Sequence, residues 1–94
     1  QKTNTKIYII PIKTLNESMK IAQQLRDAGI NTDIDLSGKG PSKNLEYANS
    51  LGIPYVVFIG KNELEANKIK LRDMKRGGEE LLDIPTLIKK LLNN

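Results

Sequence analysis

Residues 6–12, Lys-Ile-Tyr-Ile-Ile-Pro-Ile, form an almost unbroken apolar run. Such a run is too short for a helix and predicts a strand covered on both faces. The period then lengthens. Thr14 stands as an N-cap with Glu17 three residues on, the two halves of a capping box. Leu15, Met19, Ala22 and Leu25 recur at helical spacing, and Gly29 ends that helix. From Ile30 the period drops to two: Ile30, Thr32, Ile34 and Leu36 alternate with Asn31, Asp33, Asp35 and Ser37. This predicts an edge strand with one wet face. Residues 37–40 (Ser-Gly-Lys-Gly) are a loop, and Pro41 is placed as the first residue of a second helix. Leu45, Ala48 and Leu51 are its stripe, and Gly52 ends it. Pro54 opens the strongest strand, residues 55–59, closed by Gly60. Two further strands are predicted at residues 68–73 and 79–83, joined through Arg76-Gly77-Gly78. Pro85 starts a last helix carrying Leu87, Ile88, Leu91 and Leu92.

Strand, helix, strand, helix, strand implies a parallel core with right-handed crossovers. With the first strand between the second and third, the two helices cover opposite faces. The last two strands extend the sheet as an antiparallel pair. The expected fold class is therefore α/β: a three-layer α/β/α arrangement with a mixed, mostly parallel five-stranded sheet and three helices. Such a sheet has a switch point between its first and third strands, and ligands bind there, beyond the C-terminal strand ends. That edge contains residues 11–14, 35–39 and 60–63.

At 94 residues the chain has room for one core, so residues 1–94 are expected to form a single domain. Residues 1–5 read as a linker remnant. The first residue is Gln rather than Met, so the chain is expected to be a piece of a longer protein; a trimmed full-length chain is the other reading. A hydrophobic fraction of 38% and a charged fraction of 28% are those of a globular chain. The longest apolar runs fall far short of a bilayer span, and no signal-peptide pattern opens the chain, so no membrane partner is expected. There is no cysteine and no histidine. Thiol nucleophiles, thiolate metal sites and the commonest acid–base catalyst and metal ligand are thereby excluded. The expectation is no catalytic residue, no metal and a reducing, cytoplasmic setting. A net charge of +4 tilts the choice of partner towards polyanions without deciding it.

The candidate chemistry lies on the predicted edge. Gly38-x-Gly40 is not a dinucleotide fingerprint, which needs G-x-G-x-x-G directly after the first strand, and position 43 is lysine. Nor is it a phosphate-cradling P-loop. Asp33 and Asp35 read either as solvated edge-strand charges or, for Asp35, as a group facing the ligand edge. Lys39 and Lys43 flank the start of the second helix, where positive charge opposes the macrodipole by roughly 0.3–1 kcal/mol. A local rule broken without compensation marks a candidate phosphate site; the alternative is two lysines pointing into water. Tyr47 and Tyr55 read as half-buried packing residues rather than base stackers. With four aromatics in all, a broad stacking platform is not available. Lys75-Arg76 and Lys89-Lys90 read as solvated surface.

Three stretches together carry a family resemblance: Asp35-Leu36-Ser37-Gly38-Lys39, then Lys43-Asn44-Leu45-Glu46-Tyr47-Ala48, then Leu51-Gly52. They resemble the C-terminal anticodon-binding domain of histidyl-tRNA synthetase. Pro54 to Gly60 followed by Glu63-Leu64, and Lys68 to Met74 with its glycine turn, are similar too, so the resemblance runs over nearly the whole chain. It implies a domain that binds the anticodon arm of histidine tRNA and needs no cofactor itself. ATP and magnesium would serve a separate catalytic domain of a cytoplasmic, homodimeric ligase. The implied tRNA-binding residues are Pro11, Lys13, Asp35, Ser37, Gly38, Lys39, Lys43, Glu63 and Arg72. Glu63 and Arg72 match acidic and basic positions of the wider synthetase group, and a carboxylate and a guanidinium suit the guanines of a GUG anticodon. The alternative for that pair is a surface ion pair between them. The chain departs from the family at Lys39, where arginine is usual, and at Gly40, Ser42 and Glu46, where basic residues are commoner. These departures weaken the phosphate-site reading of the loop.

Two other functions fit the same fold. One is a non-catalytic interaction, dimerisation or tRNA-sensing module, told apart by the absence of class II synthetase motifs upstream. The other is the anticodon domain of a threonyl-, prolyl- or glycyl-tRNA synthetase, against which the Leu-x-Tyr-Ala and Arg-Asp-Met stretches speak.

Overall fold

A computed structural model describes residues 4–93. The first three residues of the expected linker lie outside the described residues, as does Asn94. Asn4 and Thr5 are tied to the domain: Asn31 Nδ2 donates to Asn4 O (3.2 Å), and the Thr5 hydroxyl donates to Asp33 Oδ2 (2.6 Å).

The apolar run becomes the middle of the parallel sheet because only that position hides both of its faces. Along the chain the elements are β1 (Ile7–Pro11), α1 (Leu15–Asp27), β2 (Thr32–Ile34), α2 (Pro41–Leu51), β3 (Tyr55–Ile59), α3 (Lys61–Glu65), β4 (Ile69–Asp73), β5 (Glu79–Leu82) and α4 (Ile84–Leu92). The strand order is β2-β1-β3-β4-β5. β1 pairs in parallel with β2 and β3, while β4 and β5 run antiparallel. The expected sheet is therefore present.

Alternate residues of β1 serve opposite faces. Ile7 and Ile9 join Val57, Ile59, Ile69 and Leu71 under α1 and α4, whose Ala22, Leu25, Leu87 and Leu91 are fully buried. Tyr8 and Ile10 join Val56 and Phe58 under α2, through Ala48 and Ile53. Each fully buried Leu or Ile contributes about 1.5–3 kcal/mol relative to exposure. Lys6 closes the first face from its end: its ammonium donates to Leu91 O (2.8 Å) at the C-terminus of α4, where the helix dipole favours a cation.

Several local expectations are corrected. Thr14 is not a side-chain cap. Its hydroxyl donates to Ile59 O (2.6 Å) and meets the Ser18 hydroxyl at 3.0 Å, which ties α1 to the end of β3. That rotates the helix so that Ser18, Ala22 and Leu25 are buried, leaving Leu15 and Met19 of the expected stripe in water. β2 is only three residues long. After Ile34 the alternation inverts, with Asp35 buried at 4% exposure and Leu36 at 66%. A fourth helix, the five-residue α3, follows β3 in addition to the three helices expected. In α4, Leu92 is exposed rather than part of the core.

Candidate nucleic-acid interface

The three segments of the expected ligand edge do come together at the C-terminal ends of β1, β2 and β3. Between the first two lies an open cleft of about 450 Å³, bounded by Pro11 to Leu15 on one side and by the 35–41 loop on the other. Asp35 builds that loop. Its amide continues the ladder to Ile9 O (2.9 Å), and its carboxylate then folds the chain over itself. Ser37 N and Ser37 Oγ donate to Oδ1 (2.9 and 2.7 Å), while Gly38 N and Asn44 Nδ2 donate to Oδ2 (3.2 and 2.8 Å). Gly38 and Gly40 supply the positive φ values of +70° and +94° that let so short a loop reach α2.

Asn44 connects this loop to the core. Fully buried on α2, it accepts from the Tyr8 hydroxyl (2.8 Å) and donates to Asp35 and to Gly40 O (2.9 Å). Burial and then the Asp35 charge push the Tyr8 phenol up to about 12, so it keeps its donor proton. At Asp35, burial pushes the carboxyl up, but donation by Ser37 and Asn44 and the Lys39 ammonium outweigh it. The net effect holds Asp35 well below the usual aspartate range. Neither Asn44 nor Tyr8 is a predicted site residue. The signals that could have found them are a tyrosine within an apolar strand, whose hydroxyl needs a buried partner, and an Asx-turn pattern at Asp35-x-Ser37.

The lysines part company. Lys39 folds back, its Nζ 3.7 Å from Asp35 Oδ1 and 4.6 Å above the Tyr47 ring. Its apparent conflict with the helix dipole is therefore offset within the protein. Lys43 is exposed in the first turn of α2, whose cap, Gly40, supplies no side-chain bond. Lys13 is exposed beside the cleft in a left-handed backbone conformation (φ +59°), which is uncommon for a residue with a Cβ. If these cations meet phosphate, Lys43→Ala should lower the log–log salt slope of RNA binding by about one. Lys39→Ala should move that slope less and cost the fold roughly 0.5–1 kcal/mol. Salt titrations and thermal melts of the two variants separate these effects.

Glu63 and Arg72 are not brought together. Glu63 reaches back from α3, Oε1 accepting from Gly60 N (2.7 Å). A Cβ at Gly60 would stand 2.7 Å from that oxygen, so a larger residue there would oblige the Glu63 carboxylate to shift. Arg72 lies on β4 opposite Val56, four residues before Gly60 and so roughly 13 Å down the sheet. It pairs with Glu79 on β5 (3.1 Å), so the alternative reading of Glu63 and Arg72 as a surface ion pair with each other does not hold.

Among the described residues no group of three or more acidic side chains is placed to hold a metal ion, and no helix is long and apolar enough to cross a membrane. The architecture is that of an α/β domain with a pre-shaped loop at the C-terminal ends of the parallel strands of a mixed sheet. Residues 6–94 match the family described as "Anticodon binding domain", and the chain belongs to that family. It is 41% identical to a histidine–tRNA ligase of Thermococcus kodakarensis across 98% of this chain and 22% of that protein. A Bacillus cereus histidine–tRNA ligase is 40% identical across 90% of this chain and 20% of its own length. The chain thus spans about a fifth of the relatives it matches. Histidyl-tRNA synthetase from Nostoc superposes with a TM-score of 0.92 at 25% identity, over 97% of this chain and 22% of that one.

Proposed function

We propose that this chain is the tRNA-binding part of a histidine–tRNA ligase, gripping the anticodon arm of histidine tRNA while another part of a longer protein joins histidine to it. The observation that carries this reading is the 41% identity over 98% of the chain, matched to only a fifth of a histidine–tRNA ligase. A segment alike over its own length and a small share of the relative's supplies one job of that enzyme. The absence of histidine and cysteine agrees with a binding role. On this reading ATP and magnesium are used outside residues 1–94, and the whole ligase is a homodimer working in the cytoplasm.

The grip is mainly electrostatic. Lys13 lines the cleft and Lys43 stands exposed in the first turn of α2, and neutralising phosphates releases counterions, so affinity must fall as salt rises. Titrating the chain with a histidine tRNA at several salt concentrations should give weak, saturable binding whose logarithm declines linearly with the logarithm of salt. Salt-independent binding, or none even at low salt, would count against the reading.

A further inference from the structure

The cleft at the ligand edge has an apolar lining that phosphate binding does not explain. Ile12 is 42% exposed, Leu15 39% and Leu36 66%, and all three line it; Met19, one turn beyond Leu15 on α1, is 49% exposed. Of the seven large hydrophobic side chains exposed among the described residues, these four lie together, and such a cluster marks an interaction surface. The polar groups nearby are turned inward. Thr14 donates to Ile59 O, and both Asp35 oxygens are taken by Ser37, Gly38 and Asn44. Asp35 is the only acid among the lining residues, whereas Lys13 lines the same cleft with its ammonium free to reach outward. A carbon floor with a cationic rim is complementary to a ligand that has an apolar face and an anionic tether, which is a nucleotide. None of the four aromatics lines the cleft: Tyr8 and Phe58 are core, Tyr47 lies beneath Lys39, and Tyr55 begins β3 at the opposite end. A base entering here must pack on aliphatic carbon, as flipped bases do between apolar side chains.

We propose that Ile12, Leu15 and Leu36 form an aliphatic shelf that takes the face of one unpaired base of the RNA loop. This rests on the anticodon-arm reading and adds a subsite to it. The contact is non-electrostatic and tolerant of base identity, so it should strengthen binding without adding to its salt dependence.

The probe is the isolated anticodon stem-loop of a histidine tRNA, intact and with an abasic residue placed at each loop position in turn. Leu36→Ser and Leu15→Ser, both at exposed positions, should each weaken binding of the intact arm about tenfold. The salt slope should stay as in the parent chain, and Leu36→Met should restore most of the loss. At one loop position the abasic arm should bind the parent chain correspondingly more weakly, yet cost the Leu36→Ser chain nothing further. Parent-level binding by both serine variants overturns the shelf alone, as does a salt slope that falls with their affinity. No binding of the intact arm by the parent chain overturns the shelf together with the reading beneath it.

Discussion

Asp35→Ala should cost the domain about 3 kcal/mol, a large share of the roughly 5–15 kcal/mol that holds such a domain folded. The carboxylate is buried and receives four hydrogen bonds, so its removal orphans the Ser37 and Gly38 donors and one of the two Asn44 Nδ2 hydrogens, the other staying on Gly40 O. Tyr8 is drawn in through Asn44, so the effect reaches the core beneath α2. The same residue sets an acid dependence. Its folded pKa lies below the ordinary 3.8, so its contribution is complete above that value and is lost as pH falls through the lower, folded one. Asp73 and Asp83 are depressed too, by donors at Arg76 and Thr86. Stability should therefore decline below about pH 4. Asp35→Asn should be less stable at neutral pH and should show a shallower acid decline, because one of the titrating groups is gone. Denaturant melts from pH 2 to 7 check both effects. An unchanged acid slope would mean that Asp35 is not held ionised by its donors.

Glu63→Gln is expected to separate two uses of one side chain. A glutamine oxygen can still accept from Gly60 N, so the one bond by which residue 63 caps α3 survives and stability should change little. Glu63→Ala loses that cap and should cost about 1 kcal/mol. If the carboxylate reads a guanine, both of its oxygens face the two N–H donors of the Watson–Crick edge, and Gln cannot present both. Oε2 has no partner among the described residues, which leaves the group available. The Gln variant should then lose roughly 1–3 kcal/mol of discrimination on an arm carrying guanine at the position read, and much less where that guanine is replaced. Equal losses on every arm would leave Glu63 as a helix cap and nothing more.

Strand order, sheet direction and the meeting of the three loop segments at the C-terminal strand ends were legible because Pro41, Pro54 and Pro85 and the glycines punctuate strong apolar runs. What was missed has a common cause. Thr14, Ser18, Asp35 and Asn44 are polar residues buried by bonding to one another or to main chain, and hydropathy assigns such residues to water. Burying Thr14 and Ser18 turned α1 away from its Leu15–Met19 stripe, and burying Asp35 inverted the wet face after β2. α3 is five residues long, too short to show a period at all. At the candidate site, Lys39 and Lys43 look alike in sequence. Only the fold shows that one is engaged by Asp35 and Tyr47 while the other points outward.

The account rests on the anticodon arm being what the chain holds. The most direct measurement is competition: the chain is bound to a labelled full-length histidine tRNA and challenged with the isolated anticodon stem-loop or with the isolated acceptor-stem minihelix. The account predicts that the stem-loop displaces the tRNA completely at about the full-length tRNA's own affinity, while the minihelix displaces it only at far higher concentration. Equal displacement by both pieces, or a stem-loop that fails to compete, would contradict it.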